Sequence, residues 1–376
     1  FNIAFGGEFR YEKYNIFEGE EKSYKGYSPN PILYPNLLPA NPTADDVKNA
    51  TRTPASGSQG FPGFTNTDVV FAKRTNFSIY TDAEIASFIT VFLMRTITIA
   101  ELQGFRDALM EMALPVKFDV EIIDIVGTGG DGKNTFNIST LASFIVAGTG
   151  NKVAKHGNYA STSITGSSNV MEQLGYRFKK ENDLLAKELD DANITFLHAP
   201  VFHPALKAVS HIRKQMGVRT LFNMMGPLVN PANPQFRVLG VYNAELARMY
   251  NYLLQKSNSK FSIVNSLDGY DEISLTADTK VIDEKGEKIY TAYYLGKRIV
   301  SPQDISGGNS PEDAAAIFTS ILKGEGTWAQ NAVVLANAAI ALHTTQKYAD
   351  YETCMNMAVE SLESGNAYSS LKKIIA

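Results

Sequence analysis

Four glycines, Gly127, Gly129, Gly130 and Gly132, fall within six residues between two apolar segments. Residues 122–126 before them (Ile-Ile-Asp-Ile-Val) read as a buried strand, and residues 141–147 after them carry an apolar helical pattern. Strand, glycine turn and helix start, in that order, constrain the chain more than any other stretch. Glycine accepts positive φ and lets the backbone approach a ligand closely. The N–H groups of the loop and of the helix start then converge on an anion, and phosphate suits that geometry. Ordinary tight turns use glycine as well, so the reading depends on what accompanies the loop.

Two familiar phosphate signatures fail here at single residues. The pattern GxxxxGK[ST] breaks because Asn134 follows Lys133. GxGxxG is met formally by Gly127, Gly129 and Gly132. A dinucleotide site also places an acidic residue about 20 positions further on, where this chain has Ala147 between Val146 and Gly148. The loop reads as a phosphate cradle without the marks of an ATP or nicotinamide site.

A second cradle follows about 25 residues on: Lys155-His156-Gly157-Asn158, then Ser161, Thr162, Ser163 and Gly166-Ser167-Ser168. Lysine brings a point charge, and hydroxyls donate to phosphate oxygens. Two cradles suggest a substrate phosphorylated at both ends. The adjacent carboxylates Asp271 and Glu272 follow an apolar strand pattern at residues 261–264. Alone such a pair is usually a solvated turn. Beside phosphate loops it suits Mg2+, which takes one or two carboxylates plus substrate phosphates. Arginine suits bidentate recognition of a carboxylate, but Arg213, Lys214 and Arg219 could equally form a solvated helix face, which sequence alone favours. Of the five histidines, only His156 falls within a candidate site. No metalloprotease spacing or nucleophile elbow occurs, so covalent catalysis is not expected.

Composition limits the alternatives. The 376 residues suffice for two ordinary domains, and a net charge of −4 supplies no global basic field for nucleic acid. The single cysteine, Cys354, permits no intrachain disulfide. No apolar run reaches transmembrane length, and no secretory pattern opens the chain. A cytoplasmic location is expected. Because the chain opens on Phe1 rather than Met, a fragment or processed product is expected.

Residues 1–80 read differently from the rest. Residues 1–17 alternate aromatic with charged side chains, as strands do. A loop rich in proline and glycine follows, and a second short strand is expected over residues 75–80. The stretches FGGEFRYEKYNIFEGEEKSY, GSQGFPGF and RTNFSIY resemble part of an outer-membrane TonB-dependent receptor barrel. A foreign segment and an unusual natural extension both fit. From Thr81 the pattern turns helical, with Thr81-Asp-Ala-Glu84 as a capping box. Helices are predicted over residues 82–93 and 99–112. Strands are predicted over 153–155, 195–197, 237–241 and 261–264, and helices over 169–174, 244–255, 311–322 and 329–342. This alternation argues for an α/β fold with a largely parallel sheet, and residues 278–300 read as a hairpin excursion at its edge. The expected domains are an atypical segment 1–80, a helical domain 81–118 with a return segment near 205–232, and an α/β domain 119–376.

The blocks GTGGDGKNTFNIST, KHGN, TGSSNVMEQLGY, FLHAPVFHPALK, IRKQMGVRTLFNMMGPLVNP and SLDGYDEIS occur in this order. Together they resemble the anthranilate phosphoribosyltransferase family over residues 81–376. The resemblance implies a nucleoside phosphorylase-like phosphoribosyltransferase fold, a helical domain plus an α/β domain. It implies transfer of the phosphoribosyl group of phosphoribosyl pyrophosphate to anthranilate, with Mg2+. It places Gly127, Gly130, Asp131, Thr135, Asn137, Ser139 and Thr140 on phosphoribosyl pyrophosphate, with residues 155–158 (Lys155, His156, Gly157, Asn158), Ser161, Thr162, Ser163 and Ser167 closing around it. It places Gly127, Asn158 and Arg213 at anthranilate, and Ser139, Asp271 and Glu272 at the metal. It also implies a homodimer, through opening helices that residues 1–80 replace here. Tyr159 stands where many family members have arginine. A pyrimidine nucleoside phosphorylase-like enzyme and an inactive receptor chimera are the competing readings.

Overall fold

The computed structural model describes residues 81–160 and 164–376, with the backbone of β1 (Ile32–Leu33) and β2 (Thr51–Arg52), which pair antiparallel. The strands expected over residues 1–17 and 75–80 lie outside the described residues. The chain divides into two compact units: Phe1–Ala108 with Ala208–Met216, and Leu109–Lys207 with Gly217–Ala376.

In the first unit, α1 (Asp82–Met94) begins on the expected capping box. Thr81 caps the Glu84 N–H, and the Glu84 carboxylate accepts from the Thr81 N–H at 2.8 Å. Its buried face carries Ile85, Phe88 and Ile89, and Phe88 meets Phe92 and Phe105 edge-on. That edge-to-face geometry sets the positive rim of one ring against the negative face of the next. The second helix, α2, runs Ile99–Glu111. Three strand-and-helix steps later in sequence, the chain returns to this unit in the segment that ends on a helix at Ser210–Met216, where His211 lies 3.0 Å from Asp82 of α1.

The second unit is built on seven strands: β3 (Ile123–Gly127), β4 (Val153–Gly157), β5 (Ile194–His198), β6 (Phe236–Gly240), β7 (Lys260–Ser266), β8 (Thr279–Asp283) and β9 (Gly286–Tyr290). Their order is β5-β4-β3-β6-β7-β8-β9. The first five are parallel and buried almost throughout, as parallel strands must be when both faces are covered. β8 and β9 form the expected hairpin, antiparallel at the edge. The helices are α3 (Ile138–Gly148), α4 (Ser167–Gln173), α5 (Asn182–Ala192), α6 (Ala199–Phe202), α7 (Pro204–Ala208), α8 (Ser210–Met216, counted in the first unit), α9 (Ala244–Leu254), α10 (Pro311–Leu322), α11 (Trp328–Thr344), α12 (Tyr351–Glu363) and α13 (Asn366–Ile375). The helix α3 is buried along nearly its whole length, and its Phe144 packs on Phe196 of β5 and Phe318 of α10.

One local expectation needs correction. Strand β4 does not end at Lys155; it continues through Gly157, with Lys155, His156 and Gly157 paired to Phe196, Leu197 and His198 of β5. The residues read as the start of a loop are ladder residues, and the first two are buried. Asp124 of the neighbouring β3 makes this possible by accepting the His156 N–H at 3.1 Å and the Asn230 amide at 2.8 Å.

Candidate active site

The glycine loop leaves β3 at Gly127 and reaches α3 at Ile138. Gly129, Gly130 and Gly132 have φ of +63°, +72° and +76°, which side-chain-bearing residues avoid. The β3–β6 pairing aligns Gly127 with Gly240, and the segment carrying Asp271 lies over that glycine pair. A methyl group on Gly127 would stand 2.3 Å from Asp271 Oδ2, and one on Gly240 would stand 1.6 Å from the Asp271 carbonyl oxygen. Two glycines 113 residues apart thus admit one acidic residue to the mouth of the loop. There Asp271 Oδ2 accepts the Gly129 N–H at 2.7 Å.

Asp131, Asp271 and Glu272 each bring a carboxylate oxygen to within 4.8 Å of the others. Burial and the Asp271 charge raise the Asp131 carboxyl to about 6, and the same two causes push Glu272 well above the usual carboxylate range. Like charges gathered away from water are unfavourable without a counter-ion. Several polar atoms of the loop and helix start, Asp131 Oδ2, Asn137 Oδ1 and Thr140 Oγ1, are buried with no hydrogen-bond partner among the described residues. Such atoms carry a desolvation cost until a ligand meets them. The carboxylate trio fits a divalent cation, and the open donors and acceptors fit a polar substrate. Opposite, the loop is braced by residues 305–308. Thr135 forms a bridge with Ser306, the Gly307 N–H donates to Asn134 O at 2.9 Å, and Asn134 donates to Gly308 O at 2.8 Å.

The second cradle begins where β4 ends. Lys155 is buried, its ammonium donates to Ile125 O at 2.5 Å, and burial pulls its pKa down to about 8 against the opposing pull of Asp124, Glu272 and Asp271. Its charge therefore acts beneath the glycine loop rather than from a flexible loop above it. His156 is buried too. Its Nδ1 pairs with Gly226 O at 2.9 Å, its ring meets His203 edge-on, and burial lowers it to about 4. It stays neutral at physiological pH, and the geometry gives it a bracing part. Asn158 and Tyr159 are exposed. The Asn169 carboxamide oxygen accepts from the N–H groups of both Ala160 (2.9 Å) and Gly166 (3.0 Å), tying together the two ends of the serine- and threonine-rich segment. Gly157 admits the Ser167 hydroxyl, which would stand 2.5 Å from a methyl there. Tyr159 bonds Glu172 at 2.7 Å and meets His198 edge-on, so the residue that departs from the family pattern anchors this segment to α4. Ser161, Thr162 and Ser163 lie outside the described residues. Ser139, half-buried, lies in the otherwise buried first turn of α3.

Arg213 belongs to the first unit, on α8. It is half-buried there, and burial lowers its guanidinium to about 10. Sequence reasoning missed the residues that brace the site: Asp124 and Asn230, which tie β4 to β3, residues 305–308 beside the glycine loop, and Asn169 at the neck of the second cradle. The contacts of Asp124, Asn230 and residues 305–308 span long sequence separations, whereas Asn169 reaches only Ala160 and Gly166; the glycine at position 307 offered a signal. There a methyl would stand 2.5 Å from Thr135 O.

The second unit matches the family model described as the a/b domain of the glycosyl transferase family, over residues 119–368. The chain is 55% identical to anthranilate phosphoribosyltransferase of Bacteroides fragilis over 297 residues, 79% of this chain and 90% of that protein. It resembles the crystal structure of anthranilate phosphoribosyltransferase from Thermus thermophilus with a TM-score of 0.75 at 30% identity, covering 83% of this chain and 95% of that one. It also resembles the Saccharomyces cerevisiae enzyme in complex with phosphoribosyl pyrophosphate and Mg, with a TM-score of 0.72 at 30% identity, over 83% and 87% of the two chains. The likeness of residues 1–80 to a receptor barrel is not borne out, because these matches are to phosphoribosyltransferases and the family match starts at residue 119. Among the described residues no helix is long and apolar enough to cross a membrane.

Proposed function

The chain belongs to the anthranilate phosphoribosyltransferase family, and on that premise we propose how its residues divide the work. It transfers the phosphoribosyl group of phosphoribosyl pyrophosphate to the amino nitrogen of anthranilate, a step of tryptophan biosynthesis, releasing pyrophosphate. The observation that carries the site assignment is the meeting of Asp271 with the glycine loop through Gly127 and Gly240. It joins a carboxylate trio to an array of backbone donors. Asp131, Asp271, Glu272 and Ser139 would hold Mg2+, which when bound neutralises charge on the diphosphate.

The N–H groups of the loop and of the first turn of α3 bind the diphosphate and favour it further as its charge grows on leaving. Gly127, Gly130, Asp131, Thr135, Asn137 and Thr140 form this part of the donor site. Lys155 adds positive charge beneath it. His156, Gly157, Asn158, Ser161, Thr162, Ser163 and Ser167 shape the phosphoribosyl end. Gly127, Asn158 and Arg213 orient anthranilate, with Arg213 toward its carboxylate. The arylamine is neutral at physiological pH, so attack on the anomeric carbon depends on alignment more than on a strong base. The reading includes a cytoplasmic enzyme, in keeping with its one buried cysteine, and a homodimer.

The test follows the loss of anthranilate fluorescence with phosphoribosyl pyrophosphate and Mg2+. Turnover that needs both supports the reading. Phosphorolysis of thymidine by inorganic phosphate, with anthranilate untouched, would instead identify a nucleoside phosphorylase.

A further inference from the structure

We propose that Arg219 is a second arginine of this site, holding the departing diphosphate from the open side of the glycine loop; this rests on the reading that the loop binds phosphoribosyl pyrophosphate. By sequence, Arg219 grouped with Arg213 and Lys214 on a helix face. The structure separates it from them. Helix α8 stops at Met216, Gly217 turns the chain with φ of +63°, and Arg219 falls in the second unit, just ahead of a short 3-10 turn over Leu221–Met224.

Three observations give Arg219 a ligand-facing role. First, its guanidinium carbon lies 4.2 Å from the centroid of the Tyr242 ring. Stacking on an aromatic ring fixes the plane of the guanidinium and leaves its N–H edge open to an oxyanion. Second, the side chain lies against the loop itself. A methyl on Gly130 would stand 3.4 Å from Arg219 Nε and 3.7 Å from the Asn223 amide nitrogen. The Asn223 Oδ1 is committed to the Thr220 N–H at 2.9 Å, so its donor end is the one near Gly130. Two nitrogen donors therefore flank a glycine whose left-handed backbone forms the cradle. Third, Arg219 is exposed, and no carboxylate pairs with it among the described residues, although three gather at the same loop. Its charge is not spent within the unit.

A planar, fork-shaped cation at this position suits an oxyanion with paired oxygens. Diphosphate and the carboxylate of anthranilate share that chemistry. Contact with Gly130 favours diphosphate, because this glycine lies in the loop whose donors face the donor substrate.

The intact 376-residue chain and the variants R219A, R219K and Y242A are compared by steady-state kinetics and by calorimetric binding of pyrophosphate with Mg2+. For R219A the KM for phosphoribosyl pyrophosphate and the Kd for pyrophosphate should each rise about 10-fold to 100-fold. The anthranilate KM should stay within about two-fold and the melting temperature should not move, since the side chain is exposed. R219K should recover part of the affinity, because charge returns without the fork. Y242A should fall between wild type and R219A. Unchanged pyrophosphate binding in R219A would overturn the proposal, as would a rise confined to the anthranilate KM. An R219A effect no larger than its loss of thermal stability explains would also overturn it. A wild type that neither binds pyrophosphate nor turns over would strike the functional reading as a whole. An active wild type with an indifferent R219A would strike Arg219 alone.

Discussion

Substituting Gly240 by alanine would test the site at its least forgiving point. The added methyl would stand 1.6 Å from the Asp271 carbonyl oxygen and 2.8 Å from its carbonyl carbon, both main-chain atoms. No rotamer change relieves a clash with backbone. Strand β6 is bonded to β3 on one side and β7 on the other, so it has little room to yield. The segment bearing Asp271 and Glu272 must therefore lift away from the loop by at least about 1.4 Å. Overpacking of this kind costs about 1–3 kcal/mol of stability. A displacement near 1 Å in a catalytic group costs roughly 100-fold in rate. The expected result is a folded protein with a modestly lower melting temperature and kcat reduced about 100-fold, with Mg2+ required at higher concentration. Gly226→Ala is the control, since a methyl there meets nothing within 4 Å. If Gly240→Ala kept wild-type kcat and Mg2+ dependence, the proposal that these two glycines seat a metal-holding carboxylate would be wrong.

Other perturbations should give distinct signatures. Asp271→Asn with Glu272→Gln should remove Mg2+-dependent turnover while circular dichroism stays native; retained activity would reject the metal assignment. Arg213→Ala should raise the KM for anthranilate with less effect on that for phosphoribosyl pyrophosphate, and an unchanged KM would reject its role. The carboxylate trio also predicts a pH effect. Asp131 is raised to about 6 and Glu272 is raised well above the usual carboxylate range in the folded chain, whereas both deprotonate near 4 when unfolded. The folded state then binds more protons above about pH 4, so metal-free stability falls as pH rises through that window. Because a metal needs the deprotonated groups, Mg2+ should raise the melting temperature more at about pH 7.5 than at about pH 5.5. Equal shifts at both would argue against binding at this trio.

Much of the architecture was legible because it rests on local signals. The glycines at 129, 130 and 132 announce backbone that only glycine adopts easily, and the capping box at Thr81 marks a helix start within a residue. The helix over Pro311–Leu322 was predicted with the bounds it has, since Ser310 caps it and Pro311 opens it. The hairpin of β8 and β9 falls inside the polar stretch 278–300 that reads as a hairpin excursion at the sheet edge. What the sequence hid depends on strand order. Nothing local reveals that β3 lies beside β6, and so nothing reveals that Gly127 faces Gly240 and that Asp271 covers both. Lys155 and His156 were misplaced for a related reason. Polar residues after an apolar run look like a loop, unless a buried carboxylate such as Asp124 is known to wait on the adjacent strand. Arg219 was grouped with α8 because periodicity alone does not show where a helix stops.

The division of the chain also bears on how the protein is made. The first unit takes in Ala208–Met216, a segment that follows Ala108 by about a hundred residues. A ribosome adding roughly 5–20 residues per second therefore completes α1 several seconds before its partner helix α8 emerges. Throughout that interval Ile85, Phe88 and Ile89 lack part of their final surroundings, while β3, α3, β4 and β5 are already being synthesised. The nascent chain thus passes through a stage at which the nucleus of its parallel sheet is available and its amino-terminal helices are not yet sheltered. That is where chaperone binding or aggregation should concentrate.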